Sequence, residues 1–467
     1  MVTLFGLCAL YIVVGYIFSK KVKTSTDFLV AGRSMPMIFL VFTIAATHFG
    51  GGALVGGIEQ GASKGLWAGM YGIIGYAIAC FINAFVAPRF RRAANNLTPP
   101  DFVETRYGTS KFFRGYHVLV YIFGTIAIIA AQFNAFGGVA SAFGVSRTSA
   151  IILGAVVIAL YTMMAGMWGV AVTDFIQLLI CMIFLPITAY LGMSILKDGT
   201  GFTFGQLMAT PFFESPDAAG TFMYSLIPTC VGSMFAYEYF LRFQSAKSEK
   251  DARNSSIIAG FVLLGLAIPI GIIGAMGHQL YPNIPGSEVL GHVISEVLPT
   301  WAGYLFLAAV LSAIMSTGDS LMTSLGGMIS RDIYHKILNP EKVFNELPNV
   351  LLITRLTTVV GCFIAAIISL NFRSIMGLLF WPSPLQSGVL FAPIIIGMFW
   401  HKASRQGAYA SIIIGASVAL IDMLGIFKLP ERMLVTMLAS SVALIIFSLW
   451  KPDFKQPLAE VSTNDAK

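Results

Sequence analysis

The sequence predicts an all-α polytopic membrane protein, and three observations carry that prediction. Hydrophobic residues make up 57% of the 467 residues and charged residues only 11%, whereas a soluble domain carries about 25% charged residues. The apolar residues gather in long runs, many reaching the ~20 residues a helix needs to cross a bilayer, and the mean hydropathy is +0.80. Lipid offers no hydrogen-bond partner to an exposed peptide group, so these runs are read as helices.

Thirteen candidate spans follow in order, near residues 3–19, 36–61, 66–88, 115–143, 148–165, 170–195, 220–241, 255–279, 302–329, 350–370, 374–400, 406–426 and 432–449. The first precedes Lys20 and Lys21, so its charged flank lies on the wrong side for a cleaved signal peptide, and it reads as a retained span. The stretch near 286–300 is amphipathic and too polar to cross, which makes it an external loop helix. An odd number of spans puts the termini on opposite sides. With the N-terminus outside, all but six of the 29 lysines and arginines (Lys64, Arg147, Lys197, Arg373, Lys428 and Arg432) fall in cytoplasmic segments. That asymmetry favours an outside N-terminus and a cytoplasmic tail at 451–467. It also accounts for the net charge of +7 without nucleic acid.

The five cysteines, Cys8, Cys80, Cys181, Cys230 and Cys362, lie inside predicted spans and form no C-x-x-C pair. They imply neither a disulfide framework nor a metal site. Residues 1–450 therefore read as one transmembrane domain, with no segment outside the bilayer long enough for a catalytic or signalling unit.

Function must reside where the spans break the rules of membrane helices. The second span contains Ala45-Ala46-Thr47-His48-Phe49-Gly50-Gly51-Gly52, followed by Gly56, Gly57 and Gly61. Such a run weakens a helix, and unwound backbone at bilayer depth is tolerated beside a protein-lined cavity. The seventh span carries Pro228-Thr229-Cys230-Val231-Gly232-Ser233, then Tyr237 and Glu238. Two interrupted helices in corresponding places point to a transporter's midplane site; close helix packing is the competing account of the glycines. In the ninth span Ala313, Ser316, Thr317 and Ser320 share one helix face, and Ser312, Asp319, Thr323 and Ser324 extend the polar stripe. Sodium wants several oxygens, which two hydroxyls and freed carbonyls such as those of Ala46 and Phe49 supply. Hydroxyls bonded back to the preceding turn are the alternative.

Ionisable groups within spans are costly and usually functional. Asp174 and Asp319 both fall in the cytoplasmic half, where they suit a second cation. His48 sits at the helix break, suited to a substrate or a proton, or else to a bond with a neighbouring carbonyl. Glu238 faces either the cavity or a neighbouring helix, while Glu59 and Asp422 lie near external ends.

Over roughly residues 25–425 the chain resembles the sodium:solute symporter family. The resemblance rests on Asp27-Phe28-Leu29-Val30-Ala31-Gly32-Arg33, Pro99-Pro100-Asp101-Phe102 with Arg106-Tyr107-Gly108, Tyr161-Thr162 and Thr173-Asp174-Phe175-Ile176-Gln177. Ala313-Ile314-Met315-Ser316-Thr317, Asp332-Ile333-Tyr334 and Gly397-Met398-Phe399-Trp400 complete it. It implies an inverted repeat of five plus five helices: 3–19 as an extra N-terminal helix, 36–195 and 220–400 as the repeats, and 406–449 as two further helices. It also implies sodium ligands at Ala46, Phe49, Ala313, Ser316 and Thr317, and a second sodium at Asp174, Ser316, Asp319 and Ser320. Substrate contacts would be His48, Gly51, Tyr76, Gln132, Ser233, Tyr237 and Trp381. In motif the chain is similar to the high-affinity choline branch, yet His48 and Ala236 stand where that branch's aromatic box expects tryptophans, which argues against choline.

The expectation is a cell-membrane, sodium-coupled symporter that imports a small organic solute by alternating access, with no cofactor beyond Na+ as coupling ion and no enzymatic activity. A proton-coupled carrier using His48, Asp174 or Asp319 is the alternative. A membrane sensor or intramembrane enzyme lacks both an output domain and a compact nucleophile–base or metal constellation.

Overall fold

The computed structural model describes residues 2–93, 96–141, 144–213, 216–284, 286–372 and 375–453. They are helical almost throughout, and among the described residues the only β-type pairing is an isolated bridge between Met35 and Ala246. The principal helices are α1 (Val2–Ser19), α2 (Met37–His48), α3 (Gly51–Lys64), α4 (Leu66–Arg92), α5 (Lys111–Ser141), α6 (Arg147–Thr200) and α7 (Pro216–Phe235). They continue as α8 (Tyr237–Ser245), α9 (Glu249–Leu280), α10 (Thr300–Gly327), α11 (Val350–Asn371), α12 (Arg405–Met423) and α13 (Arg432–Trp450). Between α11 and α12 the chain advances in short helical pieces, Ile375–Phe380, Ser383–Gln386, Ser387–Ile396 and Gly397–Phe399.

Among the described residues, nine helices are long and apolar enough to cross a membrane, and the bent pair α2–α3 raises this to ten. The chain is thus a multi-pass membrane protein. Large apolar side chains such as Phe85, Leu119, Tyr190, Ile367 and Ile446 are exposed on the outer faces of these helices, the placement that lipid rewards and water does not. The segments predicted separately as 148–165 and 170–195 follow one another directly within α6, separated by a kink at Gly166. Gly166 has φ +50°, and a Cβ there would press into Phe28, so the corner needs glycine.

Helix α10 is the hub. Its most apolar window is 94% buried, against 33% for α11 and for α13. Two features of the sequence make this possible: small residues line its faces, and its polar groups find partners inside the bundle. Tyr11 of α1 bonds the Ser312 hydroxyl at 2.7 Å, and Tyr161 of α6 donates to the Asp319 carboxylate at 2.9 Å. A buried polar group without such a partner costs about 1–3 kcal/mol. Beyond Gly327 the helix widens into π-helical turns over Met328–Leu338.

The two interruptions differ from expectation in one respect. α2 ends at His48 and α3 begins at Gly51, with a bend of 52° between them, as the glycine run predicts. In contrast, α7 runs unbroken through Pro228-Thr229-Cys230-Val231-Gly232-Ser233 and stops only at Ala236, whose φ −65° and ψ 136° are extended. Membrane helices tolerate isolated proline and glycine when neighbours hold the backbone, so those residues did not mark the break. The predicted loop helix near 286–300 consists of two short helical pieces, Gly286–His292 and Val293–Val297.

Candidate functional site

The α2–α3 break faces the middle of α10. Helix α2 ends with carbonyl groups that have no continuing turn to bond, and α10 presents hydroxyls to them. Ser316 Oγ donates to the Ala46 carbonyl at 3.1 Å and also lies 2.9 Å from the carbonyl of Ala313. Thr317 Oγ1 donates to the Thr47 carbonyl at 3.1 Å. Ala46 O also receives the Phe49 amide at 3.1 Å. Ser316 thus joins Ala46 and Ala313, three of the five residues expected at the first sodium site, while Thr317 is turned one residue away, to Thr47. Gly50 makes the approach possible, because a Cβ at that position would fall 2.9 Å from Thr317 Cβ and 3.0 Å from Gln132 Oε1.

The rest of the polar stripe divides. Thr323 and Ser324 bond back to Asp319 and Ser320 carbonyls at 3.0 and 3.1 Å, which is the ordinary fate of hydroxyls in membrane helices. Asp319 is held by Tyr161 and, at 3.3 Å, by Thr173 and Ser320.

The second cation set contains a residue that sequence reasoning missed. Arg242 of α8 enters the bundle fully buried. Its guanidinium lies 3.5 Å from Asp174, donates to the Thr43 hydroxyl and carbonyl at 3.0 and 3.2 Å, and donates to Ser320. A fixed cation therefore lies against Asp174 and Ser320, two of the residues expected to hold a second sodium. Its own geometry was legible only in part: four residues after Glu238, Arg242 falls on the same face of α8, but nothing in the sequence says which carboxylate it meets.

Beside the break lies a cavity of about 170 Å³. His48, Tyr76, Gln132, Ser233 and Tyr237 line it as expected, together with Tyr121, Glu238, Tyr239, Ser383 and Gln386. The His48 ring stacks on Tyr239 at 4.2 Å and packs against Tyr76 at 5.0 Å. Both His48 ring nitrogens are buried without a hydrogen-bond partner, so the bond to a neighbouring carbonyl is not made. Gly51 is not in the lining; its amide donates to Gln132 Oε1 at 2.9 Å, fixing that side chain beside the break. Trp381 lies apart from the others. It is 47% exposed and packs on Phe123 at 5.2 Å, outside the lining residues. The chain pivots at Trp381-Pro382, so that Leu379, Ser383 and Gln386 turn inward in its place.

Tyr237 has a second attachment. Its hydroxyl donates to Asp332 at 2.8 Å, and Asp332 is also bound by Thr98 at 2.7 Å and by Arg114. Arg114 also pairs with Asp101 at 2.8 Å and with Glu104, while Arg331 reaches Asp101 at 3.1 Å. One wall of the cavity is thus tied directly to a buried ionic cluster.

Comparison with known proteins agrees with this architecture. A sodium:solute symporter family profile matches residues 28–415. The sodium/pantothenate symporter of Haemophilus influenzae is 27% identical over 433 residues, covering 88% of each chain. The sodium/proline symporter of Staphylococcus aureus is 28% identical over 440 residues, covering 88% of this chain and 83% of the relative. A solved sodium-coupled sialic acid symporter, in a substrate-bound outward-open state, superposes with a TM-score of 0.82 at 18% identity over 97% of this chain and 98% of its own.

Proposed function

Because the chain belongs to the sodium:solute symporter family, whose sodium-coupled transport of a small solute it shares, we propose that it imports its cargo by alternating access, with sodium bound across the α2 break. The observation that carries this reading is the convergence of Ser316 Oγ with the Ala46 and Ala313 carbonyls. Helix ends and unwound carbonyls are the groups that hold coupling cations in transporters of interrupted helices. Ala46, Phe49, Ala313, Ser316 and Thr317 form the site; Thr317 reaches it by exchanging its bond to Thr47 for the ion.

Asp174 and Asp319, with Ser316 and Ser320, are the remaining acidic wall, and Arg242 supplies the positive charge that Asp174 needs there. A second sodium at Asp174, Ser316, Asp319 and Ser320 would share this wall with the guanidinium, which already lies against Asp174 and Ser320. The cargo occupies the cavity beside His48, Tyr76, Gln132 and Ser233. Thirteen spans in an inverted repeat, with the N-terminus outside and the C-terminus in the cytoplasm, place the cluster of Asp101, Glu104, Arg114, Arg331 and Asp332 on the inner side. It closes the inward path while the cavity accepts cargo.

Coupling then requires only that sodium and cargo stabilise the same conformer. Sodium at the α2 break ties α2 to α10 and shapes the cavity wall that contains Thr47, His48 and Thr317. Charge movement recorded from proteoliposomes on a solid-supported membrane, during screening of amino acids, carboxylates, sugars and amines, tests the coupling. Cargo-evoked current should require sodium and survive the removal of any pH gradient. A current driven by a pH gradient in sodium-free medium would show proton coupling instead.

A further inference from the structure

Among the described lining residues of the cavity, Glu238 is the only carboxylate, and none is a lysine or arginine. Glu238 follows Ala236 directly into the first turn of α8, so the break in the seventh span is what carries it to the cavity edge. Its own carbonyl accepts a bond from Arg242 at 3.0 Å, but no described side chain bonds or pairs with its carboxylate. The two buried acids of the bundle centre, Asp174 and Asp319, are each held by side chains, although the Oδ1 atom of Asp174 has no partner. Asp174 has Thr43 and Arg242, and Asp319 has Tyr161, Thr173 and Ser320.

Charge balance makes this difference informative. Three carboxylates, Asp174, Asp319 and Glu238, surround one guanidinium, that of Arg242. A coupling sodium adds a second positive charge, and a charge left uncompensated inside the bundle is costly. The remaining carboxylate is the one at the cavity. The ring faces beside it add to the same preference, since Tyr76 and Tyr239 flank His48 and aromatic faces attract cations. The two unpartnered His48 nitrogens offer a polar contact to whatever enters.

Resting on the symport reading above, we propose that the cargo is a small solute bearing a positively charged nitrogen, which the Glu238 carboxylate receives against the rings of Tyr76, His48 and Tyr239. The cavity limits its size. A void of about 150 Å³ holds benzene, so about 170 Å³ suits a solute of about seven or eight non-hydrogen atoms.

Thermal unfolding of the purified full chain in NaCl or KCl tests this with probe pairs that differ in the charged nitrogen. Suitable pairs are ethanolamine with 1-propanol, proline with cyclopentanecarboxylate, and glycine betaine with 3,3-dimethylbutanoate. At least one nitrogen-bearing probe should raise the unfolding midpoint in NaCl while its carbon counterpart does not. Glu238→Gln should weaken that probe on the order of tenfold or more and keep the shift caused by NaCl alone, and Glu238→Asp should keep the preference for nitrogen. Equal stabilisation by the carbon counterpart, full affinity in Glu238→Gln, or no response to any nitrogen-bearing probe overturns the proposal. Should Glu238→Gln fail to fold, the comparison of pairs on the unaltered protein decides. Loss of the NaCl shift in the unaltered protein counts against the sodium site, whichever probe binds.

Discussion

The guanidinium of Arg242 lies 3.5 Å from the carboxylate of Asp174, and both side chains are wholly buried. Each has moved from a different element to meet there, Arg242 from the short helix after the Ala236 break and Asp174 from the long helix α6. Their charges would be prohibitive singly. Removing one partner of a buried pair costs about 3–5 kcal/mol, because the other charge stays behind. Arg242→Met should therefore lower stability by roughly that amount, and Asp174→Asn in the same chain should recover part of it. Thermal or denaturant unfolding of the two single variants and the double variant gives the coupling; strictly additive losses would mean that the pair does not form.

The bond from Tyr237 to Asp332 predicts a link between cavity and inner closure. Tyr237→Phe keeps the ring, which packs edge-on against Tyr121 at 5.4 Å, and removes only the donor to Asp332. Because Arg114 and Thr98 still hold Asp332, the stability cost should be small, about 1 kcal/mol. The local effect should be larger. Amide hydrogen exchange over Met328–Leu338 should quicken relative to the rest of the chain, as expected for an element with a lowered opening free energy. Unchanged exchange in that segment would show that the hydroxyl plays no part in closure.

Gly50 predicts a steric effect. A methyl group at this position meets the Thr317 side chain, and overpacking of this kind costs about 1–3 kcal/mol. Gly50→Ala should push Thr317 away from the α2 break and weaken the response to sodium more than it weakens the fold. A variant with a normal sodium response would place the ion elsewhere.

Much of this architecture was legible in the sequence because lipid imposes a simple rule on backbone polarity. Long apolar runs had to be helices, and Gly50-Gly51-Gly52 marked the α2 break through the cost of glycine in a helix. The hydroxyls of Ser316 and Thr317 were legible by helical spacing, although their partners, Ala46 and Thr47, depend on how two distant helices meet. The second break was not legible in place. Ala236 carries no breaking tendency of its own, whereas Pro228 and Gly232 do and yet sit in continuous helix. Trp381 shows the same limit, since its position near the cavity in sequence said nothing of the pivot that turns it outward. Arg242 looked like one more cytoplasmic charge until the Ala236 break turned its helix into the bundle, and Tyr237 looked like a cavity residue with no sign of its bond to Asp332.

The most direct test of the account concerns sodium alone and needs no knowledge of the cargo. A ligand that binds only the folded protein raises its unfolding midpoint by an amount set by its concentration and affinity. For the unaltered chain, titration with NaCl at constant ionic strength against KCl should give a saturable, sodium-specific rise. Ser316→Ala removes the hydroxyl that spans Ala46 and Ala313; it should unfold cooperatively yet lose that rise, with apparent sodium affinity reduced on the order of tenfold or more. A Ser316→Ala protein that responds to sodium like the unaltered chain would contradict the placement of the coupling ion at the α2 break.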